Sequence, residues 1–264
     1  FMNFKELKYK TNYYVLLLLA FVIPLDRKFS PPLIILLLIT SIINNKVKEI
    51  QQHKILLFTL LYCMYAIGVL YSSNIGVGLK DLEGKLSLVI FPLAIYLSKI
   101  DFNKKFQNIL FSFVDGVLVS GLISLMVSLA YLFSPKGTSA FFYGNSSYFL
   151  HPSYMAMYAS FALIIVYFAI FNKKEKLGRS KLRVGLFFFT IIIVLSASKT
   201  GLISLLFIHG ISFIYWIYRT KAYIQGAGVL LLFLFALVLT YNYSLIIKNR
   251  VDELFLVTTS GGVY

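Results

Sequence analysis

FQNILFSFVDGVLVSGLISLMVSLAYLF, residues 106–133, carries one charged side chain, Asp115, in 28 positions. A bilayer core of about 30 Å takes about 20 residues of helix to cross, so this run is long enough to span. It does not alternate as a barrel strand does, and in lipid only helices and closed barrels satisfy their own backbone. Working outward, eight further apolar runs cover 13–25, 31–43, 55–72, 86–98, 152–171, 184–195, 201–218 and 224–241. The chain therefore reads as an all-α, polytopic integral membrane protein with about nine transmembrane helices, built as a single membrane-embedded domain over residues 1–264. Hydrophobic residues make up 59% of the chain and charged residues 13%, against about half and about a quarter in soluble domains.

Between the runs, seventeen of the 25 lysines and arginines fall in alternate gaps. These gaps hold Lys5, Lys8 and Lys10; Lys46, Lys48 and Lys54; Lys99, Lys104 and Lys105; the six basic residues from Lys173 to Arg183; and Arg219 with Lys221. The intervening gaps hold the other eight: Arg27, Lys28, Lys80, Lys85, Lys136, Lys199, Lys248 and Arg250. Loops rich in Lys and Arg stay cytoplasmic, which puts the N-terminus inside and the second set of gaps outside.

Several function classes drop out. A net charge of +15 would suggest nucleic acid in a soluble chain; beside membrane spans it follows from topology and attraction to anionic headgroups, so no nucleic-acid partner is expected. The lone Cys63 sits in an apolar run and allows neither a disulfide framework nor a thiolate metal site within the chain. There is no glycine-rich phosphate loop, no Ser-His-Asp pattern and no His/Cys cluster, and the cytoplasmic loops are too short for a nucleotide-binding domain. No metal or cofactor is expected. The first run leads into Asp26-Arg27-Lys28 without a small-residue cleavage site, unlike a cleavable signal. Phe1 precedes Met2, and the chain stops in the polar stretch Thr258–Tyr264, which suggests a piece of a longer protein.

The short runs carry alternatives. The first two, of 13 residues each, are either two spans extended by their flanks or one re-entrant hairpin. The seventh, Val184–Leu195, covers only about 18 Å at about 1.5 Å per residue. Unless Leu177–Arg183 is also helical, the turn Ser196-Ala197-Ser198-Lys199-Thr200-Gly201 stops below the outer surface. Polar backbone at that depth is tolerated only against protein or a water-filled cavity, so Lys199 either stands in an outward-opening pocket or snorkels to the headgroups.

The outward gaps hold the candidate chemistry. In Lys80-Asp81-Leu82-Glu83-Gly84-Lys85, Asp81 and Lys85 are placed to pair on one helix face. Asp81 and Glu83 could instead bind a metal, or Lys80 and Lys85 could meet a lipid pyrophosphate. In the gap 141–154, Phe141, Phe142 and Tyr148 suit a membrane-interface belt. His151-Pro152 suits a helix start, since Pro is favoured in the first turn, and a neutral imidazole there can donate or accept a proton. His209 lies within a span and can simply bond a neighbour. Asp115, on the cytoplasmic side of its run, suits a structural pair with a nearby Lys, and His53 carries no signal.

Three ordered segments resemble the O-antigen ligase family of bacterial inner-membrane glycan transferases and polymerases: Leu70-Tyr71-Ser72-Ser73-Asn74 with Gly78–Leu88; His151-Pro152-Ser153-Tyr154-Met155-Ala156-Met157-Tyr158; and Leu195-Ser196-Ala197-Ser198-Lys199-Thr200-Gly201. The third is similar to the family's Ser-Arg-Gly turn with Lys in place of Arg, which keeps the charge and loses the bidentate fork. The resemblance implies a glycan held on undecaprenyl pyrophosphate at the periplasmic face of the inner membrane. An acceptor hydroxyl, on lipid A-core for a ligase or on another lipid-linked glycan for a polymerase, attacks the anomeric carbon and the lipid pyrophosphate leaves. It further implies that Lys199, Lys80 or Lys85, His151, Ser198 and Tyr154 line the substrate site, while the principal catalytic His lies in a periplasmic loop beyond residue 264. From another class, a transporter or flippase for a lipid-linked sugar would want polar residues near the midplane of broken helices; here the polar sites cluster at the outer ends.

Overall fold

The computed structural model describes residues 4–44, 53–98, 100–133, 137, 141, 147–172, 179–221, 235, 238 and 242. Among them are nine α-helices and no strand: α1 (Phe4–Val22), α2 (Ser30–Asn44), α3 (His53–Leu70), α4 (Ile75–Lys85), α5 (Ser87–Ser98), α6 (Phe102–Leu132), α7 (Pro152–Phe171), α8 (Arg179–Ser196) and α9 (Lys199–Thr220). Each of the first eight apolar runs is helical, and α4 is an added helix formed from an outward gap. The ninth run, 224–241, lies outside the described residues apart from positions 235 and 238.

The expected count of about nine transmembrane helices is corrected. Among the described residues only α6, α7 and α9 are both long and apolar enough to cross a membrane. The described apolar stretches of α1, α2 and α3 run Lys10–Val22, Ser30–Ile43 and Leu56–Leu70, each shorter than the about 20 residues that a crossing takes. At 12 residues, α5 covers about 18 Å. The 18 residues of α8 open on Arg179, Lys181 and Arg183. Backbone contacts group the chain into two compact units, Phe1–Gly116 and Val117–Tyr264, with the boundary inside α6.

The first unit packs α1, α2 and α5 around Val15, Leu16, Leu19, Leu37 and Ala94. The first two runs form separate helices joined by a short 3-10 turn, Arg27–Phe29. Buried Asn12 on α1 donates to the Ser98 carbonyl at the end of α5 (3.4 Å). Gly116 lets α6 touch α1: a Cβ there would lie 2.0 Å from the Phe21 carbonyl oxygen.

The second unit is an up-down arrangement of the end of α6 with α7, α8 and α9. Ser120 meets Met155 (3.9 Å), the Tyr148 N–H donates to Ser124 (3.2 Å), and a Cβ on Gly121 would press on Phe188. Thus α6 runs against α7 and alongside α8. The central helix is α7, with ten buried residues, five of them Ala or Ser. Small side chains let membrane helices approach closely, which replaces the hydrophobic drive that lipid does not supply. By contrast α9 buries only Gly201 and Leu205, and Phe207, Ile211, Ile214 and Tyr218 are exposed.

Candidate functional site

Two helix starts meet at one end of the second unit. The first belongs to α7, where His151 is the N-cap and its Nδ1 accepts the Ser153 N–H (3.3 Å), with Pro152 as the first helical residue. Since Nδ1 accepts, a neutral His151 ring carries its proton on Nε2 and presents a donor. The ring is exposed, and Tyr154, one turn on, stands edge-on to it with centroids 6.4 Å apart.

The second start belongs to α9. Here α8 ends at Ser196, buried Ala197 reverses the chain at φ +45°, and Ser198 becomes the N-cap. Ser198 Oγ accepts the Gly201 N–H (3.5 Å) and lies 3.1 Å from Thr200 Oγ1. With only 3% of its surface exposed, Ser198 holds the turn together instead of facing a substrate. Lys199 is the first residue of α9 and is half-buried.

Contact between the two starts is direct: a Cβ on Gly201 would lie 2.7 Å from that of Ala156. Farther along, Tyr167 meets His209 and Phe171 meets Tyr215, so α7 and α9 run parallel. Both helix N-termini therefore point out of the same end as His151, Tyr154 and Lys199, with the Ser153 and Gly201 N–H groups taken up by the caps. Such N-termini carry partial positive charge and bind anions, and the Lys199 ammonium adds a full one.

Lys80 and Lys85 belong to the first unit. Asn74 caps α4 by accepting the Val77 N–H (3.2 Å), and no residue of α4 is buried. Between α3 and α4 lies a shallow groove of about 210 Å³ that includes Tyr65, Ser72, Asp81 and Lys85. The Lys85 ammonium lies 5.0 Å above the Tyr65 ring, a cation–π contact, where a pair with Asp81 was expected. Lys80 is exposed. Among the described residues no three or more of His, Cys, Asp and Glu form a group that could hold a metal ion.

Three further expectations change. Because α8 begins at Arg179, the 196–201 turn is lifted to about 27 Å along the helix, and shortness of the run no longer places it below the surface. The turn is buried instead by packing against α7. Two sizeable cavities of this unit, of about 750 and 540 Å³, lie toward its other end, and the hollow expected around Lys199 is neither of them. Asp115 is exposed and makes no ion pair among the described residues; at the start of that helix Lys104 pairs with Asp101 just before it (3.5 Å).

His209 joins three helices. Thr190 Oγ1 donates to the Leu186 carbonyl (2.8 Å), so its lone pair accepts His209 Nε2–H (3.1 Å). His209 Nδ1 is then left to accept the Tyr167 hydroxyl (2.6 Å). Tyr167 and Thr190 escaped the sequence reading, although each is a polar group deep in an apolar run. At the basic end, Arg219 Nη1 donates to the Phe171 carbonyl (2.6 Å) and so satisfies the C-terminus of α7.

No family model, no curated protein and no solved structure matches this chain.

Proposed function

We propose that this chain is an O-antigen ligase-like membrane transferase whose α7 and α9 starts hold the pyrophosphate of an undecaprenyl-linked glycan at the periplasmic face of the bacterial inner membrane. The observation that carries this reading is the contact of Gly201 with Ala156, which brings together the helix starts that carry His151 and Lys199. A pyrophosphate leaving group gains negative charge as the glycosidic bond breaks. Preorganised donors and a cation aimed at that charge lower the barrier.

Each residue takes a distinct role. Lys199 supplies the charge. His151 presents Nε2–H to a phosphate oxygen and does not serve as the base. Tyr154 offers a ring face to the first sugar, and Ser198 shapes the turn. The acceptor hydroxyl oxygen bonds to the anomeric carbon, the carbon–oxygen bond to pyrophosphate breaks, and a base takes the hydroxyl proton. Lys80 and Lys85 belong to the first unit, and Lys85 is already engaged by Tyr65.

Orientation has support of its own. In the second unit Arg179, Lys181, Arg183, Arg219 and Lys221 sit at one end of α8 and α9, and Lys199 at the other. The positive-inside rule puts the first end in the cytoplasm.

Glycan transfer in cells that depend on this protein tests the proposal. Lys199→Ala is expected to lower transfer on the order of 10²-fold while Lys199→Arg, which keeps the charge, retains most of it, with both variants present at normal levels in the membrane. Full transfer by the Ala variant sinks the reading.

A further inference from the structure

Away from the His151–Lys199 end, the second unit carries a groove of about 540 Å³ where α8 and α9 diverge over α7. Its walls are almost entirely apolar, with Phe187 on α8 and Phe213 and Trp216 on α9. Trp216 stacks on Phe213, their centroids 6.2 Å apart. The groove is polar at its two ends. Thr190 and His209 close it at mid-depth, and Arg183 stands at the other end. From Arg183 to Thr190, and from His209 to Trp216, is seven residues, about 10 Å of helix. Around the Arg183 end cluster exposed Lys181, Arg219 and Lys221.

An apolar slot parallel to a membrane-crossing helix, with a guanidinium at its headgroup end, matches the chemistry of one lipid. We infer that this groove binds a phospholipid with an anionic headgroup, its phosphate held at Arg183 and an acyl chain laid along Phe187 and Trp216 toward His209. Arginine suits the role because its planar fork pairs with phosphate in two hydrogen bonds. Basic end loops raise the local concentration of anionic lipid. The inference needs the helices to lie in a bilayer but does not depend on glycan transfer.

Trp216 is the sole tryptophan of the chain, so its fluorescence reports this groove alone. The full protein is reconstituted in bilayers containing either phosphatidylglycerol or phosphatidylcholine with brominated acyl chains, and quenching is titrated. Brominated phosphatidylglycerol is expected to quench about fivefold more effectively per mole, the preference that one cation near a lipid surface confers. Arg183→Gln removes the preference. Gly210 lines the groove, and a Cβ there meets nothing within 4 Å, so Gly210→Phe fills the slot without displacing backbone. That variant is expected to reduce quenching by both lipids at unchanged helicity. Equal quenching by the two lipids in the unaltered protein overturns the inference, as does quenching that Gly210→Phe leaves untouched. Headgroup-insensitive quenching that falls as protein density rises assigns the groove to a second copy of the chain and also overturns it. Loss of transfer in Lys199→Ala is independent of all these outcomes.

Discussion

The α4 segment and the 196–201 turn look alike as sequence: each is a polar gap with lysine between apolar runs. In the fold they differ. Every residue of α4 keeps contact with the surroundings, and its Lys85 leans on a neighbouring tyrosine. The turn buries Ser196, Ala197, Ser198 and Gly201 against α7 and leaves only Lys199 and Thr200 to reach outward. A solvated charge can relax around any ligand and contributes little. A charge mounted on a packed turn is held in place before the ligand arrives, which is what electrostatic stabilisation of a transition state requires.

That contrast can be broken in activity first. Removing one preorganised charge from a reacting centre costs on the order of 10²-fold in rate. Lys199→Ala is therefore expected to lower glycan transfer by about that factor, and Lys85→Ala to leave it within about twofold, since Lys85 is already engaged by the Tyr65 ring in a contact worth about 0.5–1 kcal/mol. Equal losses in the two variants, measured as polymer formed per unit protein, would remove the distinction.

Stability sharpens it next. Gly201→Leu drives a side chain into Ala156 and is expected to destabilise the second unit by about 1–3 kcal/mol, the usual penalty of overpacking. Gly84→Ala on α4, where an added Cβ meets nothing within 4 Å, is expected to stabilise by up to about 1 kcal/mol through helix propensity. Thermal unfolding in detergent reads both, and opposite signs are the point of the comparison.

Smaller still are the caps. Ser198→Ala removes a buried cap and is expected to cost about 1–2 kcal/mol, whereas Asn74→Ala removes an exposed one and falls near about 0.5 kcal/mol, the two ends of the range for N-cap substitutions. At the bottom of the scale, Ala197→Gly tests the φ +45° residue. Relief of left-handed strain of about 1 kcal/mol is offset by loss of a buried methyl, worth about 0.8 kcal/mol, so the melting temperature is expected to stay nearly unchanged.

Much of the fold was legible because hydropathy is a local property. The runs 106–133, 152–171 and 201–218 became α6, α7 and α9, and His151-Pro152 starts a helix as its chemistry suggests. Run length alone misled at α8, where the basic residues from Arg179 onward are helical and lengthen the element. It misled at 86–98 as well, where 12 residues form a helix too short to cross. The pairing of Asp81 with Lys85 failed because Tyr65, on another helix, offered the ammonium a ring face. Tyr167 and Thr190 were passed over because a lone hydroxyl in an apolar run has no meaning until a partner is placed opposite it.

By itself the sequence determined that this chain is helical, rich in apolar surface, basic in alternate gaps, and furnished with a good helix start at His151-Pro152. Side-chain type, spacing and capping chemistry act within a few residues, so they can be read along the chain. Only the tertiary structure decided that Ser198 caps α9, that the α7 and α9 starts lie together, that His209 ties α7 to α8 and α9, and that Lys85 turns to Tyr65. Residues 151 and 199 are separated by two helices, and the approach of their helix starts depends on the fit of Gly201 against Ala156. That approach follows from the shapes of three packed surfaces, which no local pattern encodes.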